Sequence, residues 1–290
     1  QELNEVKRAV SEIVSNDGDA QFGDGLVLAA LQKMKNPGSY DPSTGNYNQF
    51  WLVDRDFVDN RTSLVTDPAD GKIPEMTAEA KKKGAERAEY AKAHPADGPE
   101  DRPLGERCVN FGWPKLGAGY NSYYQVFQGP GYVAIVSEMA HDARIIPVDN
   151  RPHLAKDVTQ WNGDARGHWE GNTLVVETTN FSPKSTGQGR GNTQENLTLI
   201  EKFTRTSANQ LNYEVTMKDA STWVKPWTVM IPLQQKTEQI FEYACHEGNE
   251  GMFGTLSGHR ANEREEAAKL KKGSDRKSTR LNSSHVALSR

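Results

Sequence analysis

Histidines with neighbouring carboxylates are the residues of this sequence best suited to chemistry. His141 is followed by Asp142 and comes three residues after Glu138, and His246 ends a strand-like run. An imidazole beside a carboxylate can act as a general base or bind a metal ion. The sequence therefore offers Glu138, His141, Asp142 and His246 as candidate catalytic residues.

A metal site is a second use for these histidines. His141, His153 and His246 together would suit a divalent metal such as zinc, iron or copper. Their spacing matches no established motif, since the sequence has no His-x-His and no HExxH. Counting in twos from Val133 places His141 on the core face, so the alternative for it is a buried histidine bonded to a backbone carbonyl.

Aromatic residues and one arginine in the second half of the chain are candidates for ligand binding. Trp161, Trp169 and Tyr213 fall in or beside strand-like runs, and Arg144 begins another. Such side chains either fill a core or line a pocket for a small apolar or aromatic molecule. The sequence leaves both alternatives open.

The elements that must position these residues are predicted to be strands. Gly171-Asn172 divides the run from Gln160 to Phe181 as a hairpin turn does, and residues 211–218 alternate strictly between apolar and polar side chains. Further strand-like runs are 61–66, 123–127, 132–139, 144–148, 197–205, 227–233 and 240–245. We predict a mainly β protein, an antiparallel lipocalin-like barrel, with a two-sheet β-sandwich as the alternative.

The chain is predicted to have several segments around this barrel. They are a helical N-terminal extension at 1–45, a strand and a charged helix from Thr77 to about His94 within 46–100, the barrel domain at 101–262 and a charged tail at 263–274. The tail is expected to be a short helix or disordered. Residues 275–290 resemble the translation of a DNA-sequencing adapter, so we expect an artefact there and a missing natural C-terminus, and give these residues no functional role.

Composition narrows the classes of partner. The chain of 290 residues has a formal net charge of -4 and no clustered basic face, which argues against nucleic acid as a partner. No run approaches the roughly 18 apolar residues of a membrane span. Cys108 and Cys245 either form a disulfide in an exported protein or are two buried thiols in a cytosolic one. Nothing in the sequence indicates an oligomeric state.

Several motifs together resemble a family of uncharacterised exported bacterial proteins. They are Asp101–Cys108 (DRPLGERC), Glu138–Arg144 (EMAHDAR), Arg151–His153 (RPH), Trp161–Gly167 (WNGDARG), Trp169–Phe181 (WEGNTLVVETTNF) and Glu242–Asn249 (EYACHEGN). The resemblance spans residues 46–262 and implies a periplasmic or secreted protein, which favours the disulfide. It implies no activity. His168 departs from the family, in which arginine is common, and this argues against a chemical role for it.

Two functions remain in competition. One is an exported barrel that binds a small apolar or aromatic molecule. The other is an enzyme on the same scaffold, a hydrolase, lyase or isomerase, because the sequence has no nicotinamide or flavin motif. A purely structural role is a third alternative, and the sequence alone does not choose among them.

Overall fold

The computed structural model of the protein describes residues 61, 63–116, 121–185, 194–247 and 249–286, with side chains as far as Lys272. The predicted helical extension at 1–45 lies outside these ranges. The chain divides into two compact units. The first comprises residues 1–87 and 110–244, and the second comprises residues 88–109 and 245–290.

Antiparallel strands make up most of the first unit. They are β1 (Val65–Asp67), β2 (Tyr124–Gly129), β3 (Tyr132–Ser137), β4 (Ala143–Pro147), β5 (Asp164–Glu170), β6 (Thr173–Thr179), β7 (Thr198–Arg205), β8 (Gln210–Lys218) and β9 (Trp227–Gln234). A six-stranded sheet has the order β1-β9-β8-β7-β6-β5, and a three-stranded sheet has the order β2-β3-β4. Gly171 adopts φ +60° in the β5–β6 turn, a conformation that glycine tolerates without strain. The predicted central hairpin is confirmed.

The inner faces of the two sheets share one hydrophobic core. The small sheet contributes Val133, Ile135 and Ile146, and the large sheet contributes Val176, Leu199, Tyr213, Val215, Met217, Trp227 and Val229, among others. At the facing edges of the sheets, β4 lies beside β5. Gly167 of β5 permits this approach, because a Cβ there would come within 2.9 Å of Ile146 Cγ2. The core is therefore built by both sheets.

The mainly β, antiparallel class that the sequence predicts is confirmed. The pairing order of each sheet is open at both ends in the described part of the chain, so the strands form two sheets with no closed ring of pairs. This arrangement fits a β-sandwich as well as it fits a barrel.

The predicted last strand, residues 240–245, is wrong. The segment has no ladder pairing, and the backbone N–H groups of Phe241 and Tyr243 donate instead to the side chains of Glu138 and His141. Side-chain acceptors thus bind these backbone N–H groups in place of the carbonyl groups of a neighbouring strand. An alternating apolar pattern cannot distinguish these two ways of satisfying an extended backbone.

Two helices complete the described structure. α1 (Ala78–Ala93) confirms the predicted charged helix. It begins after Thr77, whose Oγ1 accepts a hydrogen bond from the Ala80 backbone N–H at 3.0 Å, as an N-cap residue does. α2 (Glu250–Val286) is longer than the short helix predicted from the tail. No helix in the described ranges is long and apolar enough to cross a membrane.

The second unit contains the disulfide. Cys108 and Cys245 are bonded, with their Cα atoms 5.7 Å apart, which confirms the predicted disulfide bond. Ala96 is the only fully buried residue among the described side chains of this unit. The unit thus has almost no apolar core, and the disulfide joins its two chain segments covalently.

Candidate functional site

A polar network lies at the centre of the first unit, inside the shared core. Arg144 on β4 forms an ion pair with Glu201 on β7, with 2.7 Å between Arg144 Nη2 and Glu201 Oε2, and both side chains are buried. Arg144 Nη1 donates to Glu201 Oε1 at 3.0 Å, so the pairing is bidentate. This ion pair connects the two sheets through the core.

Three further side chains complete the network. Tyr213 on β8 donates its hydroxyl to Glu201 Oε1 at 2.6 Å, and Trp113 donates its indole N–H to the same oxygen at 2.9 Å. Thr178 on β6 accepts a hydrogen bond from Arg144 Nη2 at 2.8 Å. A buried carboxylate costs much free energy unless such donors surround it. The Thr178 hydroxyl also donates to Glu201 Oε2 at 3.4 Å, so four different side chains hold Glu201 in place.

The register of the strands explains why these residues meet. Glu201 pairs with Val215 in the β7–β8 ladder and with Val176 in the β6–β7 ladder, and all three point to the core. Tyr213 lies two residues before Val215 on β8, and Thr178 lies two residues after Val176 on β6. Both therefore point to the same face as these valines and flank the carboxylate. The network thus follows directly from the two-residue period of three adjacent strands.

The electrostatics of the network favour hydrogen-bond donation by the tyrosine. Burial, followed by the negative charge of Glu201, raises the pKa of Tyr213 well above its usual value. The Arg144 guanidinium carbon lies 4.2 Å from the ring centre of Trp113, a cation–π contact. Tyr213 therefore stays a hydrogen-bond donor throughout the physiological range of pH.

Several buried polar atoms near this core lack a protein partner. Among the described residues, Arg144 Nε, Trp227 Nε1 and Gln194 Oε1 are buried and have no hydrogen-bond partner. Gln194 is connected to the network, because its Nε2 donates to the Trp113 carbonyl at 2.7 Å. Buried polar groups are nearly always paired in folded proteins. These atoms thus mark positions where a small molecule or water would gain hydrogen bonds.

The structure separates the four predicted ligand-binding residues into two pairs. Arg144 and Tyr213 meet at Glu201, whereas Trp161 and Trp169 do not join the network and are 37% and 47% exposed. Trp169 shares a strand face with Gly167 and Ala165, so it lies at the rim of the inner surface. The sequence reasoning missed Glu201, although a charged residue two positions after Leu199 on the apolar face of a strand was an available signal.

The predicted catalytic residues near residue 140 form a turn that holds segment 240–245. Glu138 is buried, its Oε1 accepts from the Phe241 N–H at 2.9 Å, and its Oε2 has no partner among the described residues. His141 Nε2 accepts from the Tyr243 N–H at 2.7 Å. An Nε2 that accepts a backbone hydrogen bond is not free to take a proton from a substrate. The geometry therefore indicates that the side chains of Glu138 and His141 position segment 240–245.

The prediction that His141 lies on the core face is wrong, because the imidazole is exposed. Strand β3 ends at Ser137, and a short 3-10 turn follows in which Ala140 and His141 have φ values of +60° and +52°. This turn breaks the two-residue period on which the count depended.

The candidate Asp142 forms an ion pair, with 2.8 Å between its Oδ2 and Lys115 Nζ. Burial lowers the pKa of Lys115, and the charge of Asp142 partly offsets that effect.

His153 has the most ordered carboxylate environment of the predicted histidines. Its Nδ1 donates to Asp164 Oδ2 at 2.9 Å, and its Nε2 lies 3.3 Å from Glu177 Oε1. Asp164 is buried and is held by the Arg166 guanidinium at 2.6 Å and by the Leu154 N–H at 2.9 Å. Asp164 thus orients the imidazole through Nδ1, and the other ring nitrogen faces the Glu177 carboxylate.

The predicted metal set is not brought together as one group in the described part of the chain. His141 and His153 have the separate partners given above, and His246 is exposed in the second unit. Among the described residues, the group with metal-ligand geometry consists of Asp97, His259 and Glu263. The sequence reasoning missed it, because His259 and Glu263 are distant in sequence from Asp97.

Comparison with known proteins gives no relative. No family model matches the chain, and neither a curated protein nor a solved structure matches it significantly.

Proposed function

We propose that this protein is an exported, periplasmic or secreted, binder of a small apolar or aromatic molecule. In this proposal strands β2 to β9 curve in sequential order into a lipocalin-like barrel, with the ligand in the interior. The adjacency of β4 and β5 supports the barrel, because it continues the strand order from one sheet to the other. The disulfide supports an oxidising compartment.

One observation carries the proposal, the unpaired Nε of Arg144. This N–H is buried beside Trp113 in an interior of apolar and aromatic side chains. The charge of the guanidinium is already balanced by Glu201, so the vacant donor suits a neutral acceptor. The ligand is therefore a mainly apolar or aromatic molecule that carries a carbonyl or ether oxygen.

An enzyme is the second candidate, supported by the His153–Asp164 dyad. His153 would act as the general base, with Glu177 stabilising the imidazolium that forms after proton transfer. The reaction class is hydrolysis, since the proton relay needs only water and an electrophilic carbon. Release of nitrophenol from p-nitrophenyl acetate tests it. A rate above buffer that is lost in His153→Gln but kept in His246→Gln would favour the enzyme.

Competition with a fluorescent probe tests the binding proposal. The full chain is titrated with N-phenyl-1-naphthylamine, which is then displaced by 2-acetylnaphthalene or by 2-ethylnaphthalene, a molecule of similar shape without the oxygen. We expect saturable binding of one probe per chain and about tenfold tighter binding of the ketone, the effect of one net hydrogen bond of about 1.4 kcal/mol.

Matched variants locate the site. Arg144→Lys keeps a positive charge facing Glu201 but removes the Nε–H, so we expect the preference for the ketone to disappear. Trp161→Phe alters an exposed side chain outside the network and should change nothing. Absence of saturable binding, or equal affinity of the wild-type protein for the two naphthalenes, would overturn the proposal. The comparison of ligands in the wild type stands even if Arg144→Lys fails to fold.

A further inference from the structure

The second unit contains a cluster of metal-binding side chains separate from the network of the first unit. His259 Nε2 lies 3.3 Å from Asp97 Oδ1 and 3.4 Å from Glu263 Oε1. His259 and Glu263 are four residues apart on α2, which places them on one helix face. Asp97 comes from the loop after α1. One imidazole and two carboxylates thus converge from two distant segments of the chain.

The separations match those of ligands around one ion. Zinc bonds of about 2.0–2.1 Å in tetrahedral geometry place neighbouring ligand atoms about 3.3 Å apart. The three ligand atoms all lie within 4.8 Å of one another, so a small side-chain rotation completes the set. Three protein ligands would leave a fourth position for water or a further ligand.

The outer oxygens of both carboxylates are also held. His94 Nδ1 donates to Asp97 Oδ2 at 2.6 Å, and Arg260 Nη1 lies 3.0 Å from Glu263 Oε2. Each carboxylate therefore presents its remaining oxygen towards His259. Hydrogen bonds of this kind orient the ligands of metal sites in proteins.

The second unit has almost no hydrophobic core, so a bound metal would stabilise it. With Ala96 the only fully buried residue among its described side chains, the unit cannot rely on hydrophobic packing. Small units of this kind are stabilised by disulfides or structural metals. Here the disulfide ties Cys108 to Cys245, and the cluster joins the loop at Asp97 to α2 at a second place.

We propose that Asp97, His259 and Glu263 bind a divalent transition metal, with Zn²⁺ the preferred ion, and that the metal fastens the loop after α1 to helix α2. The mixed nitrogen and oxygen ligands suit zinc, and the order of divalent affinities places Mn²⁺ below it. This site is distinct from the set of His141, His153 and His246, and it is independent of ligand binding in the first unit.

Metal titration of the full, disulfide-bonded chain tests the site. The protein is stripped with a chelator, and Zn²⁺ is added in competition with a chromophoric chelator, with Co²⁺ as a spectroscopic substitute. We expect one Zn²⁺ per chain, a visible Co²⁺ absorption band and a melting temperature that rises with the concentration of free Zn²⁺. Mn²⁺ should bind more weakly.

Variants of similar size identify the ligands. His259→Asn and Glu263→Gln should each weaken Zn²⁺ binding by at least about 100-fold, whereas loss of the outer partner in His94→Phe should weaken it by about 10- to 100-fold. His246→Gln and Glu266→Gln are the controls, because these exposed residues of the same unit lie outside the cluster, and they should leave the affinity unchanged.

Two results would overturn the site. One is a chain that binds no stoichiometric Zn²⁺, in which case His259 only contacts the two carboxylates. The other is Zn²⁺ binding that survives both ligand variants. If His259→Asn loses helix content, Glu263→Gln remains decisive, because it alters only an exposed side chain.

Discussion

Replacement of Tyr213 by phenylalanine isolates one hydrogen bond of the buried network. The substitution keeps the ring but removes the hydroxyl that donates to Glu201 Oε1 at 2.6 Å. Glu201 retains Trp113 and Arg144 as donors, so no buried charge is left unpaired. A hydrogen bond to a charged group contributes about 1.5–3 kcal/mol, and we expect the free energy of unfolding at pH 7 to fall by about 2 kcal/mol.

The same substitution changes the response to alkaline pH. Burial, with the charge of Glu201, raises the pKa of Tyr213 above the value of about 10 that it has in the unfolded chain, so only the unfolded chain ionises just above pH 10. The stability that this group contributes is complete below pH 10 and is lost as the pH rises. At pH 11 the loss is about 1.4 kcal/mol for this tyrosine. Tyr213→Phe should therefore lose about 1.4 kcal/mol less between pH 9 and 11 than the wild type.

Urea unfolding followed by tryptophan fluorescence measures both effects. The 5 tryptophans among the described residues (Trp113, Trp161, Trp169, Trp223 and Trp227) all belong to the first unit, so their signal reports the unit that contains Tyr213. Tyr132→Phe is the control, because Tyr132 is 43% exposed, and it should change stability by less than about 0.5 kcal/mol. If Tyr213→Phe behaves like this control at pH 7, or follows the wild type above pH 10, the network does not hold Glu201 as described.

Two further predictions concern packing and the disulfide. Gly167→Ala places a Cβ 2.9 Å from Ile146 Cγ2 and should lower the free energy of unfolding by about 1–3 kcal/mol. Gly254→Ala in α2 adds a Cβ with nothing within 4 Å and should raise this free energy by about 0.5–1 kcal/mol. Urea unfolding measures both effects. Equal effects at the two glycines would contradict the close approach of the two sheets. Replacing Cys108 and Cys245 by serine should destabilise the chain by up to about 5 kcal/mol, from the 137-residue separation, as seen in the helix signal of circular dichroism. An unchanged helix melt would refute the role of the disulfide in the second unit.

The strands were predictable because most of them carry a local signal. The alternation from Leu211 to Lys218 fixes β8 to within one residue, and Gly171 marks the central turn. Thr77 marks the start of α1 in the same way. Each of these features acts between residues that are near neighbours in sequence, and such interactions leave a readable pattern.

The site was less predictable because its contacts are distant in sequence. Arg144 and Tyr213 were candidate ligand residues, but nothing local shows that both converge on Glu201. The same holds for Asp97 and His259, whose contact depends on the packing of a loop and a helix. The error at His141 has a different cause, since two left-handed residues at 140 and 141 end the strand period without any glycine to announce them.

The disulfide also has a topological consequence. Because it bonds Cys108 to Cys245, the intervening chain is a covalent ring that contains every strand from β2 to β9 and leaves β1 and both helices outside. A single cut of the backbone within this ring opens it without separating the molecule into pieces. After one such cut the eight strands therefore remain covalently connected. Only reduction of the disulfide or a second cut within the ring would then separate them into two fragments.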